Sequence, residues 1–357
     1  MSAHRTTLAV LALALPASAA AFEMTILDDP DAERPIIIDL DTGHQAPEGA
    51  DDDLDRQFSA PDATPAARTA GPVTHRIGGG IRRDSLRFRI SDGGPDTLSE
   101  LAWKDVTSAH LQWAMDYPIN HRWALEAGLG FASSVSGEVR DSDYDLDDRQ
   151  GEFSRTYSST HGSTFFDANL GARLTVVAPQ AHGFELGLRA GVALHHQSLR
   201  IGRTRQAISR DSTRYPDWEG AEEGTSFDAD STYKARWLGP YLGVEMGTDL
   251  GRGITLSGAY TLERLRLHGR GHWALRTDMD GFDQTGWGTG QAADIELSMP
   301  LDGGARLTAG LSHRDVDVDG GLDDKRGTGP AGVGHAIDLT ELRWRSDTLY
   351  LDYTLPF

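Results

Sequence analysis

From about Thr74 onward the chain alternates apolar and polar residues with a period of two. That period is the mark of strands whose two faces meet different surroundings. Trp123, Leu125, Ala127, Leu129 and Phe131 fall on one face of a run, against Ala124, Glu126, Gly128, Gly130 and Ala132. Phe166, Ala168, Leu170, Ala172, Leu174 and Val176 repeat it against Asp167, Asn169, Gly171 and Arg173. Phe184, Leu186, Leu188, Ala190, Val192 and Leu194 do the same against Glu185, Gly187, Arg189, Gly191 and Ala193. A soluble sandwich also alternates. Here the polar faces are rich in Gly and Ala and carry charges deep within the run, which fits a barrel lumen better.

The connections alternate in length. Short turns fall at Pro118–Asn120, Pro179–Gly183, Thr248–Gly253 and Leu301–Gly304. Long polar segments separate them, near Ser91–Lys104, Arg140–Gly162, Gly202–Ser231, Gly269–Gly290 and Asp317–His335. The pattern predicts an all-β fold: a transmembrane antiparallel β-barrel of about ten strands over residues 74–357, with long extracellular loops. An even strand number puts both ends of the barrel on the short-turn, periplasmic side. Leu349, Leu351, Tyr353, Leu355 and Phe357 alternate in the last strand. Such a strand looks like the recognition signal read by the outer-membrane assembly machinery.

Two segments precede the barrel. Residues 1–21 read as a signal peptide: His4 and Arg5, an apolar run from Leu8 to Leu15, Pro16, then small residues at Ala17–Ala21. The run is too short to span a bilayer, which takes about 20 apolar residues. Residues 22–73 are acidic and rich in Pro and Ala, with Asp51-Asp52-Asp53 and one apolar run at Ile36–Ile38. They bury too little surface to offset ordering entropy and read as a disordered periplasmic linker. The net charge of −20 leaves no basic stripe for phosphates, so nucleic acid is excluded as a partner. With no cysteine, an exported chain draws no stability from disulfides, and strand closure takes their place.

The segment Asp141-Ser142-Asp143-Tyr144-Asp145 carries the candidate chemistry. Leu98–Lys104, Tyr233-Lys234-Ala235-Arg236 and Pro240–Gly243 follow in the same order around it. Together these resemble the omptin family of outer-membrane proteases, over roughly Gly78–Phe357. The resemblance implies a ten-stranded barrel with a catalytic groove among the extracellular loops. It places Asp141 and Asp143 on the acidic half of that groove and His272 on the other. It implies an aspartic-type endopeptidase in which carboxylates and histidine activate a water on a peptide or protein substrate. The chain departs from the family at Arg270-Gly271-His272, where an arginine replaces the acid expected beside the histidine. Asp278 or Asp280 is then the alternative orienter. The family's lipopolysaccharide-contacting cluster falls on Val192, Leu194 and His196, and only Arg236 matches it.

The same acids admit a second chemistry. Asp315, Asp317, Asp319 and Gly320, with Asp323 beyond, have the opening spacing of a Ca²⁺ loop, though Arg326 stands where a closing glutamate is wanted. Asp141, Asp143, Asp145, Asp147 and Glu152 have similar spacing, with Leu146 in the glycine position. No cofactor is required for hydrolysis, and Ca²⁺ is the one candidate ion. His195 and His196 are adjacent, so they face opposite sides of a strand and read as rim residues. Trp218, Trp237, Trp273 and Trp287 suit an interfacial aromatic girdle. The leading expectation is therefore an endopeptidase. The alternative is a non-catalytic surface protein with adhesive or Ca²⁺-binding loops. A diffusion pore is disfavoured, because about ten strands leave a lumen largely filled by side chains.

Overall fold

The computed structural model describes residues 71–178, 183–216, 219–274, 281–326 and 336–356. The expected signal peptide, nearly all of the linker, Trp218, Asp278, Asp280 and Phe357 lie outside them. Eleven antiparallel strands form one sheet: β1 Thr74–Ser91, β2 Ser99–Pro118, β3 Trp123–Leu146, β4 Gln150–Ser159, β5 Thr164–Val177, β6 Phe184–Ser209, β7 Ser226–Gly251, β8 Ile254–His272, β9 Gly281–Pro300, β10 Arg306–Arg326 and β11 Ala336–Pro356. β1 pairs with β11, so the sheet closes on itself. β4 and β5 share one stave, each pairing with a different half of β3 and of β6. Eleven strands thus occupy the ten positions expected of the barrel. β1 starts and β11 ends at the short-turn end, beside each other.

Around the short-turn half, large apolar side chains point outward and are exposed: Ile77, Leu111, Leu129, Leu170, Leu242 and Ile295. Their neighbours along each strand point inward and are polar, among them Arg76, Glu126, Arg173, Arg189 and Asp294. Lipid is the surrounding that makes this arrangement favourable, since unpaired apolar surface belongs in hydrocarbon and charges do not.

In the other half the faces exchange character. Arg83, Arg87 and Arg89 now point outward on β1, while Leu86 and Phe88 point inward and are buried. Arg266 and Arg270 alternate in the same way with Leu265 and Leu267 on β8. Water outside and hydrocarbon packing inside account for the exchange. Local register shifts accompany it on several staves. β2 shifts at Asp105, in the left-handed region at φ 52°. β3 shifts beside Gly137, where an added Cβ would lie 2.9 Å from the Val106 backbone. β10 shifts between Val318 and Gly321.

The long polar segments expected as loops are largely strand. β3 runs on to Leu146, and β6 and β7 are each 26 residues long. At about 3.3 Å per residue, a strand that long extends far beyond the 9–11 residues a bilayer needs. Charge density in these segments reports water on the outer face, not loss of pairing.

This assignment of faces is testable. Leu170→Arg puts a charge in the lipid-facing band and is expected to cost about 2–4 kcal/mol. Glu138→Arg, outward but beyond the band, is expected to cost less than about 0.5 kcal/mol. Urea titration of folding into lipid vesicles measures both.

Candidate functional site

The mouth of the barrel on the long-strand side is filled. Phe88, Trp103, Tyr233 and Phe282 come from four strands and meet ring to ring, with Trp103 stacked on Tyr233 at 5.5 Å and Phe88 against Tyr233 at 5.1 Å. Below them Trp237 stacks on Trp344 at 6.0 Å, both fully buried. Trp273 packs edge-on against Phe282 at 5.1 Å. Trp237 and Trp273 therefore belong to an internal plug, not to the expected girdle. Trp287 is outward and half-exposed, with Arg264 over its ring, as a girdle residue should be.

One polar chain crosses this plug. The Tyr233 hydroxyl donates to Gln284 Oε1 at 2.7 Å, and Gln284 Nε2 donates to Asp323 Oδ2 at 2.6 Å. Asp323 is 1% exposed. Burial pushes its carboxyl up to about 6, against the hydrogen bond from Gln284 and the charge of Lys325, with Asp324 and Asp283 adding to the rise.

The structure brings together only part of the expected catalytic set. Asp141 and Asp143 lie on β3, not in a loop. They share the inner face with Val139, and Asp141 sits opposite Leu101 of the plug. Burial and the neighbouring Asp143 hold the Asp141 carboxyl well above the ordinary carboxylate range. His272 lies on β8 with the opposite parity: it is exposed and faces outward, as Arg270 does. Arg270 is held by Asp283, with Nε donating to Oδ1 at 2.9 Å, and Arg326 holds the other oxygen of Asp283 at 2.9 Å. The inward position on that strand is Gly271, where an added Cβ would meet the Phe282 ring at 2.1 Å. No histidine thus faces the Asp141–Asp143 pair from β8.

The expected Ca²⁺ residues are also separated. Asp315, Asp317 and Asp319 lie along β10 on its outer face, and after the register shift Asp323 points inward. Asp315 is paired with Arg343 and with Arg345 at 3.2 Å, and Asp317 with Arg343 at 3.3 Å. The second spacing fares no better: Asp145 accepts from Ser212 at 2.7 Å and Asp147 from the Asp96 amide at 2.9 Å. Among the described residues no group of three or more His, Asp and Glu is arranged to hold a metal ion.

Below the plug the lumen opens into a chamber of about 730 Å³. Its lining reaches the short-turn end at Thr74, Pro118 and Arg306. Its roof is a charged cluster around Asp167 and His195; His195, expected at the rim, is instead buried inside the lumen. Asp167 accepts from His195 Nδ1 at 2.7 Å and pairs with Arg82, which also holds Asp84 at 2.8 Å. His195 Nε2 lies 3.7 Å from Glu263, beyond hydrogen-bond reach, and Arg314 reaches Glu263 at 3.4 Å. His195 and His196 do face opposite sides, as expected. Asp167 and its inward neighbours were visible as charges within an alternating run. Their partners come from strands distant in sequence, so no local motif announced them.

The profile of the Protochlamydia outer membrane protein family matches residues 76–355. The chain belongs to that family. No curated protein matches it. Among solved structures it is similar to the outer membrane protease OmpT of Escherichia coli, at 13% identity and a TM-score of 0.65, over 81% of this chain and 98% of that one. It is also aligned with the outer membrane protein OprG of Pseudomonas aeruginosa, at 10% identity and a TM-score of 0.31, over 82% of this chain and 99% of that one. The protease likeness is one of fold. A member of this family is an outer-membrane β-barrel, in agreement with the apolar outer band.

The buried acid in the plug gives a pH prediction. The folded Asp323 carboxyl titrates near 6, above its unfolded value of 3.8, so the folded state binds the extra proton between them. Stability is therefore highest below about pH 4 from this group and is lost as pH rises through about 6. Asp323→Asn is expected to add roughly 1–3 kcal/mol at pH 7.5 and little at pH 3. Denaturant midpoints at both pH values measure it.

Proposed function

We propose that this protein is a sealed, non-hydrolytic surface barrel of the outer membrane, anchored by its short-turn half and displaying its long-strand half outside the cell. The observation that carries this reading is the parity of β8: His272 faces out of the wall while Asp141 and Asp143 face in, and the Phe282 ring covers the inward position at Gly271. Water activation needs the acid and base within reach of one water. The aromatic plug fills the space where an extended peptide would lie, and it blocks a straight path for solutes.

The displayed wall is stiffened by ion pairs that run across strands. Glu100 on β2 receives Arg89 from β1 at 2.8 Å, Arg140 from β3, and Arg149 at 3.3 Å. At the foot of this wall, His196, Arg236 and His268 stand in register across β6, β7 and β8, with Lys234 and Arg270 one row above. Arg236, Lys234 and Arg270 are the cations of this group and sit just above the apolar band, where the phosphates of an outer leaflet lie; burial and the charges of Lys234 and Arg236 favour neutral His196. Lipopolysaccharide is the partner this row suits, and Arg236 is its central residue. The outward apolar positions of β11, Leu349, Leu351 and Tyr353, support delivery by the outer-membrane assembly machinery.

The endopeptidase reading rests on the inward Asp141–Asp143 pair alone. Hydrolysis of a mixed peptide library by refolded protein, with and without lipopolysaccharide, separates the two. No cleavage is expected from the wild type or from Arg270→Asp, because an acid at 270 would face outward beside Asp283. Cleavage by the wild type that is lost in both Asp143→Ala and His272→Ala would overturn the proposal. Lys234→Ala combined with Arg236→Ala is expected to weaken retention on lipopolysaccharide-containing vesicles about tenfold, in a salt-dependent manner.

A further inference from the structure

The chamber under the plug has the chemistry of a binding site. Its volume of about 730 Å³ lies within the range of small-ligand pockets. Nine carboxylates and six arginines line it, so its interior is electronegative. Among the described residues, Asp294 and Asp352 form no ion pair. Asp294 accepts from Ser312, with the charges of Arg314 and Arg189 nearby, and Asp352 accepts the Gln112 amide at 2.8 Å, with the charge of Arg76 nearby.

The roof supplies the second observation. His195 is bound through Nδ1 to Asp167, and its Nε2 faces Glu263 Oε1 at 3.7 Å. That Nε2 has no hydrogen-bond partner, and neither has Glu263 Oε2. The two side chains are 3% and 4% exposed, and both line the chamber. A buried carboxylate oxygen left open in this way is destabilising. A species that brings N–H donors relieves that cost, and a positively charged one also answers the carboxylate surplus.

We propose that the chamber binds a small organic cation bearing N–H donors, a linear polyamine by class. An anion meets the carboxylate surplus unfavourably. An apolar ligand leaves the open carboxylate oxygen unsatisfied, and a bare metal ion lacks a ligand set among the described residues. Spacing selects a linear cation with more than one charge. Glu263 lies opposite Gly290 on β9, and Asp294 is four residues further along that strand. Four residues span roughly 13 Å, a distance bridged by a chain with nitrogens at both ends and not by a single ammonium. One terminal nitrogen is then held by Glu263 and the other by Asp294. Entry is from the short-turn end, which the lining reaches. The site is independent of whether the mouth of the barrel cleaves peptides.

Isothermal titration of the refolded full chain in detergent micelles tests this, with spermidine as the probe. Saturable one-to-one binding is expected, persisting in 0.15 M salt, the ionic strength at which exposed charges are screened beyond about 8 Å. Glu263→Gln and Asp294→Asn are each expected to weaken it about tenfold or more, the loss of one charge-assisted hydrogen bond. Glu138→Gln, on the outer wall, is expected to leave it unchanged. Asp294→Asn removes no ion pair, so it keeps the test valid if Glu263→Gln fails to fold. Absence of saturable spermidine binding overturns the proposal. So does equal weakening by Glu138→Gln, or full displacement by Mg²⁺ at matched charge, since either would mean diffuse attraction to an acidic protein.

Discussion

A closed sheet has only two faces, and each residue is committed to one of them by its parity along the strand. Closure satisfies every backbone N–H and C=O within the wall, which a bilayer demands. It also means that whatever the outside requires of one residue fixes the face of the next. Where lipid surrounds the wall, apolar residues go out and the lumen receives charges. Where water surrounds it, charges go out and the lumen receives rings. The ionic chamber and the aromatic plug are two consequences of one rule, joined at the level of Trp344. Its indole Nε1 donates to Asp84 at 3.0 Å, while its ring stacks on Trp237 above.

Closure brings many partners to the most heavily paired charge of the chamber. Arg173 meets Asp116 at 2.7 Å, Glu185 and Glu245 at 3.1 Å, and Glu126 at 3.4 Å, from four different strands. Buried ions of this kind are costly to desolvate, and loss of one partner typically costs 3–5 kcal/mol. The outer wall obeys a weaker version of the same rule. Burial alone would raise the Glu100 carboxyl, yet the hydrogen bond from Arg89 and the charges of Arg140 and Arg149 hold it below the ordinary range. Pairs that are open to water, such as Arg83 with Asp105, contribute little.

Period-two alternation made the barrel legible, and the outward sets Trp123–Phe131, Phe166–Val176 and Phe184–Leu194 stand on the faces assigned to them. Ten staves follow from the turn pattern, even though β4 and β5 divide one of them. The upper wall was not legible. Its alternation continues with the faces exchanged, and the bulges at Asp105, Gly137 and Gly320 shift its phase, so a fixed period reads it as polar loop. The same shift defeats motif spacing. Asp315, Asp317, Asp319 and Asp323 have the intervals of a Ca²⁺ loop, which needs a chain that wraps around its ion. On a strand those intervals send the first three to one side and, past the bulge, the fourth to the other. Trp237 and Trp344 gave no signal in sequence beyond their size, because their stacking partners are each other, over a hundred residues apart.

The family fold and a protease fold coincide here, and the proposed reading of the mouth turns on one position. A base facing the lumen from β8 at this height has to occupy 271 and not 272. Position 271 is glycine, and the Phe282 ring lies where its side chain would begin. Phe282 is held there by Tyr233 and Trp273 on either side. Moving the histidine inward therefore requires removing Phe282, and removing Phe282 takes a fully packed ring out of the plug, a loss of about 3–5 kcal/mol. A single substitution at 270 or 272 does not reach that barrier, since both positions face water. Catalysis and a sealed mouth are alternatives on this wall, and the packing around Gly271 is the feature on which the proposed sealed mouth rests.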